Sequence, residues 1–331
     1  MAVRPFDWRD LPALYRYRRQ GLFLDTTRLL TLGPRLIPAG VLLSYIAPAT
    51  GIFTYRCTGN EESEDSMVGQ VVHSPGSTSA RLSFVTPTSA LETACLPELL
   101  EHVTSEIGER GAFHLLAEID ERDAAFEALR KAGFAIYSRQ RIWELAGEPA
   151  GEALSTPWRA AASQDCLDAQ ILYCNLVPGL VQQVEPPATR LRGMVYCQEG
   201  EVVAYVELRY GGRGIMAQPF VHPDTKNISE RLVDLLRGLP NRRSRPIYLC
   251  VRSYKSWLEP AIEALGAVAG PIQAVMVKRL AIAQKATRPY AIPALEGVHP
   301  EITAPFTQYQ RMGKTLFPSH QDIYETTSNN G

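Results

Sequence analysis

The chain has 331 residues, of which 45% are hydrophobic and 21% charged, with a net charge of −1. That length suits two domains, and the apolar share can bury a core in each, which excludes a disordered or fibrous chain. Splitting the chain after Gly147 leaves neither part strongly basic, which argues against a nucleic-acid binder.

The local cluster Arg237, Arg242, Arg243 and Arg245 reads as a solvated loop around Pro240 and Asn241. The first residues, from Met1 to Asp7, carry charges where a signal peptide needs an apolar run. Apolar stretches such as Val41 to Ala47 fall short of the roughly 20 residues that span a bilayer. The 6 cysteines form no Cys-x-x-Cys pair, and the 6 histidines no His-x-x-x-His pair. The sequence therefore predicts a soluble cytoplasmic protein with reduced thiols, without a metal site and without a membrane partner.

In chain order, a short strand at Val3 to Phe6 precedes Asp7, which is placed to cap a helix with Leu11, Leu14 and Tyr15 on one face. A helical or irregular stretch runs through Leu30. Strands follow at 51–57, 67–73 and 81–85, bounded by Gly, Pro, Asn and Ser, and the acidic run 61–65 reads as a hairpin loop. Leu96, Leu99, Leu100, Val103 and Ile107 recur at helical spacing, predicting a helix over about Glu92 to Arg110. A buried strand at 112–117, a helix with Phe126 and Leu129 that stops at Gly133, and a long strand at 134–145 complete the first set.

Gly147 to Pro157 reads as a linker, and the same order then returns. A strand at 158–161 and a helix at 165–175 lead to strands at 193–197, 201–210 and 214–221. Leu232, Leu235, Leu236 and Leu239 mark a helix face. A strand at 246–252, a helix ending at Gly266 and a final strand at 272–280 follow. The repeat predicts an α/β (α+β) chain of two tandem domains, 1–147 and 158–283, joined by a linker at 148–157 and followed by a tail at 284–331. Each domain is expected to hold a mixed, mostly antiparallel sheet flanked by helices.

Residues His114 to Leu145, above all Ala128-Leu129-Arg130-Lys131-Ala132-Gly133-Phe134, resemble the C-terminal half of the GNAT acyltransferase core, where a helix ends at Gly-Phe and runs into a strand. Phe220-Val221-His222-Pro223-Asp224, followed by a helix, resembles that family's strand, Pro-loop and helix. The resemblance implies two tandem GNAT-like domains with acetyl-CoA or another acyl-CoA as co-substrate. The acceptor it implies is a small-molecule amine, a peptide N-terminus or a lysine.

GNAT enzymes hold the diphosphate on backbone N–H groups of a glycine-rich turn opening a helix, where the helix dipole favours anions. Both copies depart from that turn. Residues 86–96 contain no glycine and include Glu92, while the stretch Lys226-Asn227-Ile228-Ser229 is short and followed by Glu230. The second copy is the better candidate, because Asn227 tolerates left-handed geometry and Ser229 is small. The resemblance therefore places cofactor contacts at Phe220, Val221, Lys226, Asn227, Ile228 and Ser229. The family's proton-donating tyrosine is replaced by Leu129 and Ile262, so Tyr254 is the substitute donor, and Glu118, Glu207 or His222 could serve as base, with Glu207 retained as the catalytic candidate. Two functions stay open: an N-acyltransferase acting through the C-terminal copy, or a non-catalytic GNAT-like module that binds a ligand or a protein.

Overall fold

The structure is a computed structural model that describes residues 2–17, 20–34, 50–59, 66–155 and 157–280. The apolar stretch 41–47, the acidic run 61–65 and the tail 284–331 lie outside the described residues. The described residues belong to one compact unit, 1–283.

Apolar spacing sets the elements. In α3 (Cys95–Glu109), Leu96, Leu99, Leu100, Val103 and Ile107 are at most 1% exposed, as their helical recurrence requires. Helix α7 (Ile228–Arg237) buries Leu232, Val233, Leu235 and Leu236 in the same way. The remaining helices are α1 (Leu11–Tyr17), α2 (Thr26–Leu32), α4 (Ala125–Lys131), α5 (Cys166–Leu176), α6 (Gly179–Val184) and α8 (Glu259–Ala264). Asp7 does cap, but it caps a 3-10 turn at Trp8–Asp10 leading into α1, where Tyr15 is 67% exposed and only Leu14 is buried. Tyr15 lies about 100° around α1 from the buried Leu14 and turns to the surface.

The N-terminal half supplies β1 (Ala2–Pro5), β2 (Leu22–Phe23), β3 (Ile52–Thr58), β4 (Ser66–Val72), β5 (Ser79–Thr86), β6 (His114–Asp120) and β7 (Ala135–Leu145). The C-terminal half supplies β8 (Arg159–Ala160), β9 (Gly193–Gln198), β10 (Glu201–Tyr210), β11 (Ile215–Val221), β12 (Ile247–Arg252) and β13 (Val268–Arg279). All belong to one sheet, in the order β1-β3-β4-β5-β6-β13-β7-β12-β11-β10-β9-β8, with β2 paired to β5.

In that order the closing strands are exchanged. Strand β13, the last of the second set, lies antiparallel between β6 and β7, with Met276 opposite Ala117 on one side and Ile136 on the other. Strand β7, the last of the first set, pairs with β12, Leu145 opposite Ile247 and Gln140 opposite Arg252. Each half is thus closed by a strand from the other, so boundaries along the sequence and boundaries in space do not coincide. Both exchanged strands leave their helix through a glycine in left-handed geometry, Gly133 at φ 91° and Gly266 at φ 82°.

Of the arginines expected to be solvated, Arg243 is exposed, whereas Arg237, Arg242 and Arg245 are engaged. Arg242 pairs with Glu148 at 3.0 Å and donates to Gly147 O, while Arg237 donates to Pro149 O and Gly151 O at 3.2 and 3.0 Å. They hold the linker against the C-terminal half, because its extended backbone exposes carbonyls that guanidinium donors satisfy.

Candidate functional site

In each half two parallel strands separate at their C-terminal ends. Strands β5 and β6 pair only at Ser79, Ala80 and Arg81 with His114, Leu115 and Leu116. Strands β11 and β12 pair only at Ile215, Met216 and Ala217 with Ile247, Tyr248 and Leu249. Past those residues the edges part, leaving main-chain groups that something else must satisfy.

The two openings are filled differently. In the N-terminal half, Leu22 and Phe23 pair with Val85 and Phe84. Leu24 then donates its N–H to Ser83 O at 2.9 Å and accepts from Glu118 N at 2.8 Å. The chain's own backbone closes that opening. In the C-terminal half no main-chain segment among the described residues bridges the strands. One side chain reaches in: Lys255 Nζ donates to Pro219 O at 2.7 Å and lies 3.8 Å from the centre of the Phe220 ring.

Lys255 is 1% exposed, and burial pushes its pKa down from 10.5 to about 7. Between those values the unfolded chain binds a proton that the folded chain does not, so this group makes stability rise with pH across that window. Lys255→Met is expected to remove that part of the slope. Thermal unfolding across pH about 7 to 10 checks it, and an unchanged slope contradicts the origin assigned.

Beside this opening is a cavity of about 590 Å³. The N-terminal half contributes Asp25, Thr27, Arg28 and Arg81 to its wall. The C-terminal half contributes Tyr173, Glu185, Tyr205, Glu207, Arg209, Gln218, Phe220 and Tyr254. Phe220 stacks on Tyr205 at 6.1 Å and meets Tyr173 at 5.3 Å, forming an aromatic wall. Helices α5 and α6 and the proline-bearing loop 186–191 lie over the sheet here; Pro178 caps α6, and its Val181 and Val184, three apart, are both buried.

Charge is concentrated behind that wall. Glu185 accepts from Arg252 Nη2 at 3.0 Å with both oxygens and from Arg81 Nη2 at 3.2 Å, while Arg81 Nη1 meets Glu118 at 2.9 Å. Glu118 also accepts from Thr26 N at 3.0 Å. Burial alone would raise the Glu185 carboxyl, but Arg252 and Arg81 outweigh it and hold it below its ordinary value. Asp25 moves the other way: burial raises its pKa, and nearby Glu118 adds to the rise against the opposing pull of Arg81.

Of the residues singled out by sequence, Tyr254, Glu207 and Phe220 come together on the cavity wall. Val221 is buried at the end of β11, whereas Lys226, Asn227, Ile228 and Ser229 lie at the start of α7, outside the cavity lining. Glu118 is committed to Arg81, and His222 Nδ1 accepts from Asp224 N at 3.3 Å. Leu129 and Ile262 are fully buried and apolar. Sequence reasoning missed Arg81, Glu185, Arg252 and Lys255 as site residues. Arg81, Arg252 and Lys255 sit in or just after strands that part, and no motif spacing marks them.

Parallel strands that part beside a cavity, within one sheet flanked by helices, define the α/β fold of this chain. No family model matches the sequence, and no curated protein sequence matches it. Solved structures do match. A GCN5-related N-acetyltransferase from Sphaerobacter thermophilus superposes with a TM-score of 0.50 at 10% identity, over 84% of this chain and 95% of that one. A putative acetyltransferase from Pyrococcus horikoshii gives 0.50 at 11% identity, over 85% and 90%. A tandem GNAT protein from the clavulanic acid biosynthesis pathway gives 0.47 at 13% identity, over 84% and 98%. The chain has the fold of the GNAT N-acetyltransferases, and the likeness runs through both halves.

Among the described residues, no helix is long and apolar enough to cross a membrane, and no cluster of His, Cys, Asp and Glu is arranged to hold a metal.

Proposed function

We propose that the chain is an N-acyltransferase working through its C-terminal half, moving an acetyl or longer acyl group from acyl-CoA to an amine held in the cavity. The observation that carries this is the contrast between the two openings. The N-terminal one is closed by backbone at Leu24, while the C-terminal one is spanned, among the described residues, only by the Lys255 side chain and adjoins the cavity.

In this reading Phe220 and Val221 flank the acyl arm, and Lys226, Asn227, Ile228 and Ser229 face the diphosphate. Two observations support the second placement. Asn227 takes the left-handed geometry expected of it, φ 55° and ψ 47°, and its side chain does not cap α7, leaving first-turn N–H groups for an anion. Thr225 Oγ1 just before them is buried and has no hydrogen-bond partner among the described residues. Glu230 in the first turn works against the anion, so binding is expected to be weaker than at a glycine-rich turn.

The amine nitrogen bonds to the acyl carbon as Glu207 takes its proton, the C–S bond of the thioester breaks, and Tyr254 gives its proton to the leaving sulfur. Burial raises the Tyr254 pKa, which keeps the phenol protonated as a donor must be. Holding amine and thioester together contributes several kcal/mol more.

Acetyl-CoA at about 100 times its dissociation constant should stabilise the chain by about 2.7 kcal/mol in a thermal-shift series. Ser229→Glu should abolish that shift, and Glu207→Gln should retain it while lowering turnover by about 10²–10⁴. If acetyl-, succinyl- and longer acyl-CoA all give no shift, the acyltransferase reading falls. Lys255 favours a second reading, a non-catalytic binding module, since its side chain occupies the opening where an acyl arm would lie. That reading expects no acyl-CoA shift in either the native chain or Lys255→Met.

A further inference from the structure

We propose that the cavity selects an amine that also bears a carboxylate, an amino acid or a close relative, with the carboxylate lodged against Arg252 and Arg28 and the amine facing Glu207. The fate of the amine rests on the acyl transfer proposed above; recognition of the ligand does not.

Arg252 ends β12 and is 3% exposed. Its Nη2 is fully engaged by Glu185, yet its Nε and Nη1 are buried without a hydrogen-bond partner among the described residues. The side chain lines a smaller cavity of about 30 Å³ that adjoins the larger one through Thr27, Arg81, Glu207, Arg209 and Gln218; Arg252 lines only this floor and Arg28 only the larger wall. Arg28, on the wall of the larger cavity, likewise has a buried Nε with no partner among the described residues. Buried donors left unmade are costly, and a guanidinium is best satisfied by an oxyanion. The floor has room for about one water-sized group, which suits a carboxylate oxygen better than a phosphate.

The other end of the ligand follows from the opposite wall. The Glu207 side chain is 22% exposed and held by Arg209 at 3.0 Å, so it keeps lone pairs toward the cavity for an ammonium. The faces of Tyr173, Tyr205 and Phe220 stand beside it and also attract a cation.

Isothermal titration of the full chain without coenzyme A, using L-phenylalanine and L-glutamate against phenethylamine and L-phenylalaninamide, tests this. L-phenylalanine and L-glutamate are expected to bind at least about tenfold more tightly than phenethylamine and L-phenylalaninamide, which lack the carboxylate. Arg28→Gln, which leaves the Glu185 pairs untouched, should weaken binding of both amino acids about tenfold with an unchanged Tm; Arg252→Gln should weaken it at least as much, with a lowered Tm because Glu185 loses its two-oxygen partner. No binding of either amino acid, phenethylamine binding as tightly as phenylalanine, or unaltered affinity in Arg28→Gln each overturns the proposal. Because coenzyme A is absent, failure here leaves acyl transfer to other amines standing, and failure of acyl-CoA to bind leaves this result standing.

Discussion

A chain ending at Gly266 will not fold, although it keeps every residue of the N-terminal half. Losing β13 strips the strand between β6 and β7, exposing both edges and the surroundings of Ala274 and Met276, which are 0% exposed in the whole chain. Truncating one such side chain to alanine costs about 2–5 kcal/mol, against a total stability of about 5–15 kcal/mol for a typical domain. Far-UV circular dichroism and size exclusion should report an unfolded or aggregated species. Residues 1–147 alone should fail in the same way, whereas 1–147 and 148–331 produced together should purify as a complex, since each supplies the other's closing strand. A cooperatively folded, monomeric 1–147 fragment would contradict the exchange.

Glu185→Gln is expected to be the most damaging single substitution at the site. The residue bridges Arg252 and Arg81, and removing its charge leaves the 3% exposed Arg252 guanidinium uncompensated. Breaking a buried pair from one side costs about 3–5 kcal/mol, which for a folded unit of this size lowers Tm by roughly 5–8 °C. The folded-state carboxyl lies below its ordinary 4.5, so its contribution is present above that value and is lost as pH falls through the lower one. The native chain should therefore lose stability on acidification through that region, and the variant should lack that component. Glu127→Gln, whose partner Arg130 is 57% exposed, is the control, with a change within about 0.5 kcal/mol.

The lysine and the buried arginines were illegible in the sequence for a common reason. Lys255 follows a strand as many surface lysines do, and only the separation of β11 from β12 turns its position into a buried one. Arg81 and Glu185 are 104 residues apart and meet at 3.2 Å because the two halves pack together. No local spacing encodes such a contact. What could be named in advance was local geometry: the left-handed turn at Asn227, and the strand that ends at Val221 before a proline loop.

By itself the sequence determined the elements and their repetition. Helical recurrence of Leu96, Leu99, Leu100, Val103 and Ile107, and glycines at 133 and 266, are local signals that act over a few residues. Which strand closes which half was decided only in the tertiary structure. Strands β7 and β13 leave similar glycine turns and offer similar alternating faces, so either could pair with β6 or β12, and the exchange is settled by packing across the whole sheet. The same packing blocks one opening with Leu24 and leaves the other beside a charged cavity, which is why a repeat written twice in the sequence yields one candidate site.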